Sequence, residues 1–257
     1  MNVIVTGASS GIGAATALAF AEAGATVGLC ARREDRLREV LERCRKTSPE
    51  SRMWVADLGQ LDALAELTAR MDHDLGGADV LVNNAGVPKR KRVRAMMPED
   101  VEGVMAMNYF SPVRLTLAML PRMIERGHGH IVNVSSMGAH SAAFGVGAYS
   151  ASKAALELFT ESMYLELDGT GVHAHLFVPG TTRTEFTDEK PGNEPSMSRN
   201  APDAATAEDV AVEIVRAVDH HGFVSYASPR EHATAEAKSK DVNGFLAMAR
   251  EQLKKYL

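Results

Sequence analysis

The sequence lacks the features that would assign it to a membrane, secreted or nucleic-acid-binding class. It has no run of about 18 consecutive apolar residues, so neither a membrane span nor a signal peptide is expected. Its only two cysteines, Cys30 and Cys44, form neither a C-x-x-C pair nor a ligand cluster, which argues against a disulfide framework. The net charge of -5 argues against a general nucleic-acid-binding protein. We therefore expect a cytoplasmic protein with no resident metal.

What the chain does have is the composition of a globular protein. Its 257 residues are 45% hydrophobic and contain no low-complexity tract, so we expect one domain spanning residues 1–257 with a sizeable core. The predicted strands are Val3–Thr6, Thr26–Ala31, Arg52–Ala56, Val80–Asn83, His130–Ser135, His173–Val178 and Phe223–Ala227. The predicted helices are Ile12–Ala23, Arg36–Lys46, Asp62–Leu75, Pro98–Arg126, Ala148–Leu167 and Ala207–Val218. This alternation predicts an α/β, doubly wound Rossmann-type fold, with a parallel sheet of about seven strands and helices on both faces.

Two segments interrupt this alternation. Thr181–Ala205 is rich in Pro, Gly, Asn, Asp and Ser, which predicts a long loop. Such a loop is either a mobile lid over a substrate or an insertion without a role. The last segment, Glu231–Leu257, is predicted to be a polar helical tail.

A glycine-rich turn follows the first predicted strand. Gly7, Gly11 and Gly13 lie between that strand and an Ala-rich helix, where glycines permit a tight turn and a close approach to phosphate. Arg32 and Arg33 follow the second predicted strand, at whose end an NAD-binding chain normally carries an acid. Two guanidinium groups suit a 2′-phosphate, so NADP(H) is predicted over NAD(H). The alternative is that both arginines are a solvated start to the next helix.

A second pattern indicates proton transfer. Tyr149 and Lys153 are four residues apart, and therefore lie on one face of the predicted helix, with Ser136 thirteen residues before the tyrosine. An ammonium group near a phenol favours the phenolate and so lowers the pKa of the tyrosine.

With these motifs in hand, the chain resembles the short-chain dehydrogenase/reductase family from Val3 to about Thr184. The resemblance also covers Asp57-Leu58, Asn83-Asn84-Ala85-Gly86, Asn108 and Pro179–Thr184, with Thr182 in place of the family's usual valine. It implies that the catalytic residues are Asn108, Ser136, Tyr149 and Lys153. The cofactor-binding residues predicted from the motifs and the resemblance are Gly7, Ser9, Ser10, Gly11, Ile12, Gly13, Arg32, Arg33, Asp57, Leu58, Asn84, Ala85, Gly86, Tyr149, Lys153, Pro179, Gly180, Thr182 and Thr184.

The family's chemistry is hydride transfer between a nicotinamide and a carbonyl or secondary alcohol. By resemblance, Tyr149 donates a proton to the developing alkoxide, Ser136 hydrogen-bonds the same oxygen, and Lys153 also binds the nicotinamide ribose. Asn108 would hold a water that links Lys153 to solvent. Asp57 has two interpretations, adenine contact or a helix cap, and Asn84 and Asn133 are expected to be structural.

Substrate information is sparse. The basic run Lys89–Arg94 is expected either to bind an anionic handle, such as a coenzyme A or carrier-linked acyl group, or to be a solvated loop. An apolar or lipid-type carbonyl substrate is favoured by the residues between the serine and the tyrosine and by two in the lid: Met137, Ala139, Ala142, Ala143, Phe144, Val146, Phe186 and Met197. The resemblance further implies a homodimer or homotetramer formed through the long helices Pro98–Arg126 and Ala148–Leu167.

Two other functions stay open from the sequence. A non-catalytic NADP(H)-sensing protein would keep the fold without the chemistry. A sugar epimerase or dehydratase would share the fold, although such proteins usually carry a longer substrate domain.

Overall fold

A seven-stranded parallel sheet forms the centre of the protein. The computed structural model describes residues 1–141, 143–188, 191–195, 204–220 and 222–254. The strand order is β3-β2-β1-β4-β5-β6-β7, and each strand pairs in parallel with its neighbours. The strands are β1 Asn2–Thr6, β2 Thr26–Ala31, β3 Arg52–Val55, β4 Val80–Asn83, β5 Gly129–Val134, β6 Val172–Val178 and β7 Val224–Tyr226. The predicted doubly wound α/β fold with seven strands is confirmed.

Helices cover both faces of this sheet. They are α1 Gly11–Glu22, α2 Glu34–Cys44, α3 Leu64–Leu75, α4 Pro98–Met105, α5 Ser111–Arg126, α6 Met137–His140, α7 Gly147–Glu166, α8 Ala207–His220, α9 Pro229–Lys240 and α10 Val242–Leu253. Single 3₁₀ turns occur at Leu61–Ala63, Val93–Ala95 and Glu185–Thr187, and a π-helical turn at Ala106–Phe110.

The core lies in two layers because successive side chains of a strand point to opposite faces. Val3 and Val5 of β1 pack into a cluster with residues of α1, α2 and α8. Ile4 points the other way and packs with residues of α3, α5 and α7. Phe20 of α1 is fully buried in the first layer, and burial of a side chain of that size stabilises the fold by about 1.5–3 kcal/mol.

Most element boundaries differ from the sequence prediction by one or two residues, and three differences are larger. The helix predicted over Pro98–Arg126 is divided into α4 and α5 by the π-helical turn. The tail predicted as one helical segment contains two helices, α9 and α10, and residues 255–257 lie outside the described residues. The short α6 after β5 has no counterpart in the prediction, since four residues are too few to show a helical period.

The order of the strands places a crevice at the centre of the sheet. Chain order runs outward from β1 to β3 on one side and from β4 to β7 on the other, so the direction reverses between β1 and β4. At such a switch point the loops after neighbouring strands diverge and leave room for a ligand at the carboxyl ends. The glycine-rich turn follows β1, and Asn84–Gly86 follows β4.

Three observations bear on the class of protein. Within the described ranges, the helices are too short or too polar to cross a membrane. The same residues contain no group of His, Cys, Asp and Glu side chains suited to a metal ion. Cys30 and Cys44 are free and buried, and burial raises the pKa of the two thiols to about 12 and about 11.

Candidate active site

The glycine-rich turn is fastened to the loop after β4. The Thr6 hydroxyl accepts hydrogen bonds from the backbone N–H groups of Asn84 (3.0 Å) and Ala85 (3.1 Å). In return the Asn84 side-chain amide donates to the Thr6 carbonyl at 2.9 Å. Gly7 has a φ of +68°, and a Cβ there would lie 2.8 Å from the Ala85 Cα. A side chain at position 7 is therefore excluded both by conformation and by space.

The start of α1 has the properties of a phosphate-binding site. Ser10 is the N-cap residue in an extended conformation, and its side chain makes no capping hydrogen bond to the helix. The first N–H groups of α1 therefore find no hydrogen-bond acceptor in that side chain. The helix dipole favours an anion at this end. Gly11 has a φ of +55°, and a Cβ there would lie 3.0 Å from Thr184 Cγ2. These features fit the pyrophosphate of a dinucleotide.

The two arginines after β2 have different surroundings. The Arg33 guanidinium donates to the hydroxyls of Ser9 (3.2 Å) and Ser10 (2.5 Å), and so reaches back across the glycine-rich turn. Arg32 lies 3.8 Å from an Asp57 carboxylate oxygen. Arg33 is thus the arginine that faces the phosphate-binding turn, and its position suits a 2′-phosphate.

A carboxylate from a distant loop also contacts this arginine site. Glu185 accepts a hydrogen bond from Arg33 at 2.8 Å and another from Arg36 of α2. These arginines hold the pKa of Glu185 below its usual range, with Arg33 as the largest cause. Glu185 and Arg36 were not among the predicted residues, and 152 residues separate Glu185 from Arg33 in the chain.

Asp57 and Leu58 follow β3 at the same edge of the sheet. Asp57 accepts a hydrogen bond from the Gly59 N–H at 3.0 Å, whereas the residue that caps the next helical turn is Gln60. The helix-cap interpretation of Asp57 is therefore wrong. The Leu58 side chain is 3% exposed and packs in the core layer under α3. A ligand at this edge would meet the backbone of Leu58.

Ser136 and Tyr149 lie side by side next to Gly138, where a Cβ would lie 3.3 Å from the Ser136 Oγ and 3.1 Å from the Tyr149 ring. The Ser136 hydroxyl caps α6 by accepting from the Gly138 N–H at 3.0 Å, which leaves its own O–H to donate. The nearby Ser136 hydroxyl lowers the pKa of the Tyr149 phenol. Burial acts in the opposite direction and is the larger effect, so that the pKa of Tyr149 is raised to about 12.

Lys153 lies one turn after Tyr149 on α7 and is 4% exposed. Its ammonium group donates to the Val134 carbonyl at the end of β5, at 2.7 Å. Burial lowers the pKa of Lys153 to about 8, and the negative charge of Glu157 opposes this shift. The predicted net lowering of the Tyr149 pKa is not found, because burial is the largest effect on the pKa values of both groups.

Asn108 is fully buried in the π-helical turn between α4 and α5. Its side-chain oxygen accepts from the Val87 N–H at 2.8 Å, and its amide donates to the Val87 carbonyl (3.1 Å) and the Ser152 hydroxyl (3.1 Å). A Cβ at Gly86 would lie 3.3 Å from this oxygen and 3.7 Å from the Lys153 Nζ. Asn108 and Lys153 therefore flank the same glycine. Isolated π turns of this kind frequently occur at functional sites.

The segment after β6 closes the other side of the crevice. The Pro179 carbonyl accepts from the Met137 N–H at 2.9 Å, which ties this segment to the start of α6. Thr182 is 7% exposed, and its hydroxyl donates to the Gly180 carbonyl at 3.2 Å. Thr184 caps a short turn by accepting from the Phe186 N–H at 3.3 Å and packs beside Gly11. Thr184 thus lies beside the glycine-rich turn. Cofactor contact by Pro179, Gly180, Thr182 and Thr184 stays a prediction.

Comparison with known proteins assigns a family to this arrangement. The model of the short chain dehydrogenase family matches residues 1–195. The chain belongs to the short-chain dehydrogenase family. A dehydrogenase/reductase, SDR family member 7B, of Danio rerio is 35% identical over 226 residues, which cover 84% of this chain and 73% of that protein.

Other members of the family provide further comparisons. A fatty acyl-CoA reductase of Mycobacterium tuberculosis is 38% identical over 178 residues, covering 67% of this chain and 60% of that protein. A short-chain dehydrogenase from Sphingobium yanoikuyae, solved in complex with NADPH, has a TM-score of 0.82 and 28% identity, covering 96% of this chain and 95% of that one. Another chain of this fold was solved with NAD.

The matched part of this chain spans between half and three quarters of the curated relatives compared with it. The relatives and solved structures named above are dehydrogenases and reductases, and two of them were solved with a nicotinamide cofactor. The choice between NAD and NADP has to be argued from the residues of this member.

One polar cluster behind the family's serine, tyrosine and lysine was not predicted. Glu157 lies one turn beyond Lys153 on α7 and is 8% exposed. It accepts a hydrogen bond from the Ser135 hydroxyl, and its other oxygen lies 3.3 Å from the His140 Nε2. The four-residue spacing from Tyr149 through Lys153 to Glu157 is the signal that the sequence offers, since it places all three on one helix face.

The solvated-loop expectation is wrong for most of the basic run Lys89–Arg94, and its binding of an anionic handle stays a prediction. Lys89 and Lys91 contact the two carboxylate oxygens of Asp100, at 2.5 and 2.6 Å, and hold the pKa of Asp100 well below its usual range. Arg92 lies 3.4 Å from a Glu194 oxygen and 5.2 Å from the centre of the Phe144 ring. Most of the run therefore contacts other parts of the chain instead of solvent.

The predicted apolar wall is described only in part. The Phe186 ring lies 5.7 Å from the Tyr149 ring, centre to centre. Phe144 and Val146 are partly exposed beside the start of α7. Ala142 and Met197 lie outside the described residues, as do residues 189–190 and 196–203 of the predicted lid.

Proposed function

We propose that this chain catalyses NADP(H)-dependent hydride transfer between the nicotinamide ring and a carbonyl group or secondary alcohol. The observation that carries the proposal is that Ser136 and Tyr149 lie as a pair beside Gly138, with the buried ammonium of Lys153 one helical turn beyond the tyrosine. The pair follows β5, at the edge of the sheet that also holds the glycine-rich turn. When bound, the nicotinamide supplies the hydride in reduction and accepts it in oxidation.

Tyr149 is the proposed acid of the reducing reaction. With a pKa of about 12 the phenol is protonated at neutral pH, so it holds the proton that a developing alkoxide needs. As the new C–H bond forms, this proton moves from the phenol oxygen to the carbonyl oxygen, leaving a phenolate. Ser136 donates to the same carbonyl oxygen and stabilises its negative charge.

Lys153 and Asn108 support the tyrosine in this proposal. The Lys153 ammonium stabilises the phenolate by its charge and also binds the nicotinamide ribose. Asn108 and Lys153 flank Gly86, so a water between them would link the ammonium to solvent and return the proton. The pKa of about 8 makes Lys153 able to release and regain a proton near neutral pH.

The proposal can be tested with Tyr149→Phe, because this variant removes one hydroxyl. With NADPH and a panel of ketones, aldehydes and acyl thioesters, turnover should fall by a factor of about 10²–10⁴, the usual contribution of general acid catalysis. The dissociation constant for NADPH should stay nearly unchanged. Tyr164→Phe, on the exposed side of the same helix, is the matched control. Unchanged turnover in Tyr149→Phe would contradict the assignment.

The same experiment separates a catalytic protein from a sensor. A non-catalytic protein that only senses NADP(H) would bind NADPH and turn over no member of the panel. NADPH oxidation that depends on Tyr149 supports the enzyme.

The NADP(H) preference is supported by Arg33. Its guanidinium reaches Ser9 and Ser10 of the phosphate-binding turn, where a 2′-phosphate would lie if the ribose follows β2. The residue at the end of β2, Ala31, carries no carboxylate that would repel a phosphate or accept from a 2′-hydroxyl. These contacts favour NADP(H) over NAD(H).

An apolar carbonyl compound is the proposed substrate class. The Phe186 ring beside Tyr149 and the partly exposed Phe144 and Val146 supply an apolar surface near the reacting group. A second candidate, a coenzyme A or carrier-linked acyl thioester, is favoured by the likeness to the mycobacterial fatty acyl-CoA reductase. Palmitoyl-CoA as the probe distinguishes them: hydride transfer to a thioester breaks the C–S bond, so free thiol must appear along with NADPH oxidation.

We further propose a homodimer or homotetramer. Leu117 of α5 and Leu158 and Leu165 of α7 are 55%, 65% and 74% exposed, which is a large apolar surface for two helices. Light scattering on the eluting protein gives the mass directly, and a monomer at micromolar concentration would contradict the proposal.

A further inference from the structure

Arg90 is a buried arginine in the loop between β4 and α4. It is 7% exposed, and burial lowers the pKa of its guanidinium. Charged side chains are rarely buried to this extent unless their hydrogen bonds are satisfied. The satisfied partners of Arg90 therefore indicate what the residue does.

Three of those partners are backbone carbonyls of one other segment. The guanidinium donates from Nη1 to Phe186 (3.2 Å), from Nη2 to Asp188 (2.6 Å) and from Nε to Glu194 (3.0 Å). The planar fork of an arginine can serve three acceptors at fixed angles, which a lysine ammonium cannot reproduce. Arg90 thus fixes the backbone of residues 185–188 at two points and that of residues 191–194 at one.

The backbone of Arg90 reinforces this attachment. Its N–H donates to the side-chain oxygen of Asn193 at 3.0 Å, and its carbonyl accepts from the Glu194 N–H at 2.6 Å. The Asn193 amide donates in turn to the Pro88 carbonyl at 3.3 Å. The loop after β4 and the segment after Thr184 are therefore joined through both main chain and side chains.

The attachment determines where one aromatic ring lies. Phe186, whose carbonyl accepts from Arg90, places its ring 5.7 Å from the ring of Tyr149. Thr184, two residues earlier, is fixed against Gly11 of the glycine-rich turn. The position of Phe186 over the tyrosine thus depends on the hold that Arg90 has on the chain beyond it.

We propose that Arg90 is a positioning residue, which holds residues 185–188 and 191–194 through three backbone carbonyls so that Phe186 forms a wall of the substrate site beside Tyr149. This inference rests on the proposed role of Tyr149 as the proton donor. Arg90 touches neither the phenol nor the phosphate-binding turn in the contacts described above. It therefore acts on how the substrate is held, and the proton-transfer groups and the cofactor site keep their own contacts.

The test compares Arg90→Met and Arg90→Lys with Arg94→Met in the NADPH-bound protein. Arg94 belongs to the same basic run and is exposed, so its substitution removes the same charge without the same contacts. Hydrogen exchange is the first measurement. In Arg90→Met the amides of residues 185–194 should exchange at least about tenfold faster, while those of the central strands stay as in the wild type. Arg94→Met should exchange as the wild type does.

Steady-state kinetics is the second measurement, on whichever ketone of the panel gives the highest wild-type turnover. Arg90→Met should raise KM at least about fivefold with kcat within about threefold, the pattern of lost substrate binding. The dissociation constant for NADPH should stay within about twofold. Arg90→Lys should fall close to Arg90→Met, since charge alone does not replace three directed donors.

Two results would overturn the inference: wild-type exchange in residues 185–194 of Arg90→Met, or a loss of kcat with KM unchanged. If Arg90→Met does not fold, Arg90→Lys decides by the same two measurements. A wild-type protein that turns over no carbonyl of the panel contradicts the proposed function instead, and the exchange experiment still decides whether Arg90 holds the segment.

Discussion

The glycine-rich turn and the segment that Arg90 holds, residues 185–188 and 191–194, lie on either side of one crevice but are held by different kinds of contact. The turn is fixed by its own backbone conformation, with a positive φ at Gly7, and by reciprocal hydrogen bonds between Thr6 and Asn84. The segment is fixed from outside by the side chain of Arg90. The first kind of contact leaves little choice of residue and so appears as a motif. The second joins residues 96 to 104 positions apart in the chain, so no local motif contains it.

On the cofactor side of the crevice, Arg33→Ala tests which contacts hold NADPH. This change removes the guanidinium that contacts Ser9, Ser10 and Glu185. If it also holds a 2′-phosphate, the dissociation constant for NADPH should rise roughly 10- to 100-fold, the value of one or two charge-assisted hydrogen bonds. The constant for NADH should change little. Titration of both cofactors against the protein gives the two constants.

Arg38→Ala is the control for that experiment. Arg38 is exposed on the same helix and pairs with Glu34, so its loss changes the net charge equally. Equal weakening of NADPH and NADH by Arg33→Ala would mean that the arginine supports the turn itself, and the NADP(H) preference would have to be abandoned.

A smaller effect on activity is expected from Glu157→Gln, a change on α7, the helix that carries Tyr149 and Lys153. The Glu157 carboxylate raises the pKa of Lys153 against the larger effect of burial. Without it the pKa of Lys153 should fall below about 8, so the ammonium form is lost at a lower pH. The reducing activity, which needs the ammonium in our proposal, should decline as the pH rises through about 8 in the wild type and earlier in the variant.

The pH profile of kcat/KM from pH 6 to 10 measures that shift, and several-fold lower activity at pH 8 is expected in the variant. Glu161→Gln, exposed one turn further on α7, is the matched control. A wild-type profile that stays level through pH 10 would separate Lys153 from the proton route altogether.

The sequence predicts the fold well because the fold depends on local rules, and the same rules fix the spacing of the motif residues. Apolar runs buried on both faces identify the strands, and the turn after β1 requires glycine for steric reasons at Gly7. The four-residue spacing of Tyr149 and Lys153 likewise follows from helix geometry. Contacts such as Arg33 with Glu185 join residues 152 apart, so that no local rule predicts them.

The pKa values show a second limit of sequence reasoning. An ammonium group near Tyr149 predicts a lowered pKa. The pKa of the phenol is instead raised to about 12, because burial outweighs the opposite effect of Ser136. Burial depends on every element packed around a group, and a spacing of four residues contains no information about it.

The smallest effect is expected from Glu185→Gln. This variant tests whether the loop after Thr184 contributes to cofactor binding. Glu185 presents its carboxylate to Arg33 and Arg36, the groups available to a 2′-phosphate, so the two anions compete for the same donors. The pairs are about half exposed, which limits their value to a fraction of a kcal/mol each. Glu185→Gln should therefore tighten NADPH binding by about two- to fivefold and leave NADH unchanged. Glu42→Gln, exposed on α2, controls for the change in net charge. Weaker NADPH binding in Glu185→Gln would instead mean that the carboxylate aligns the two guanidinium groups for the phosphate, and that the loop after Thr184 contributes to the cofactor site itself.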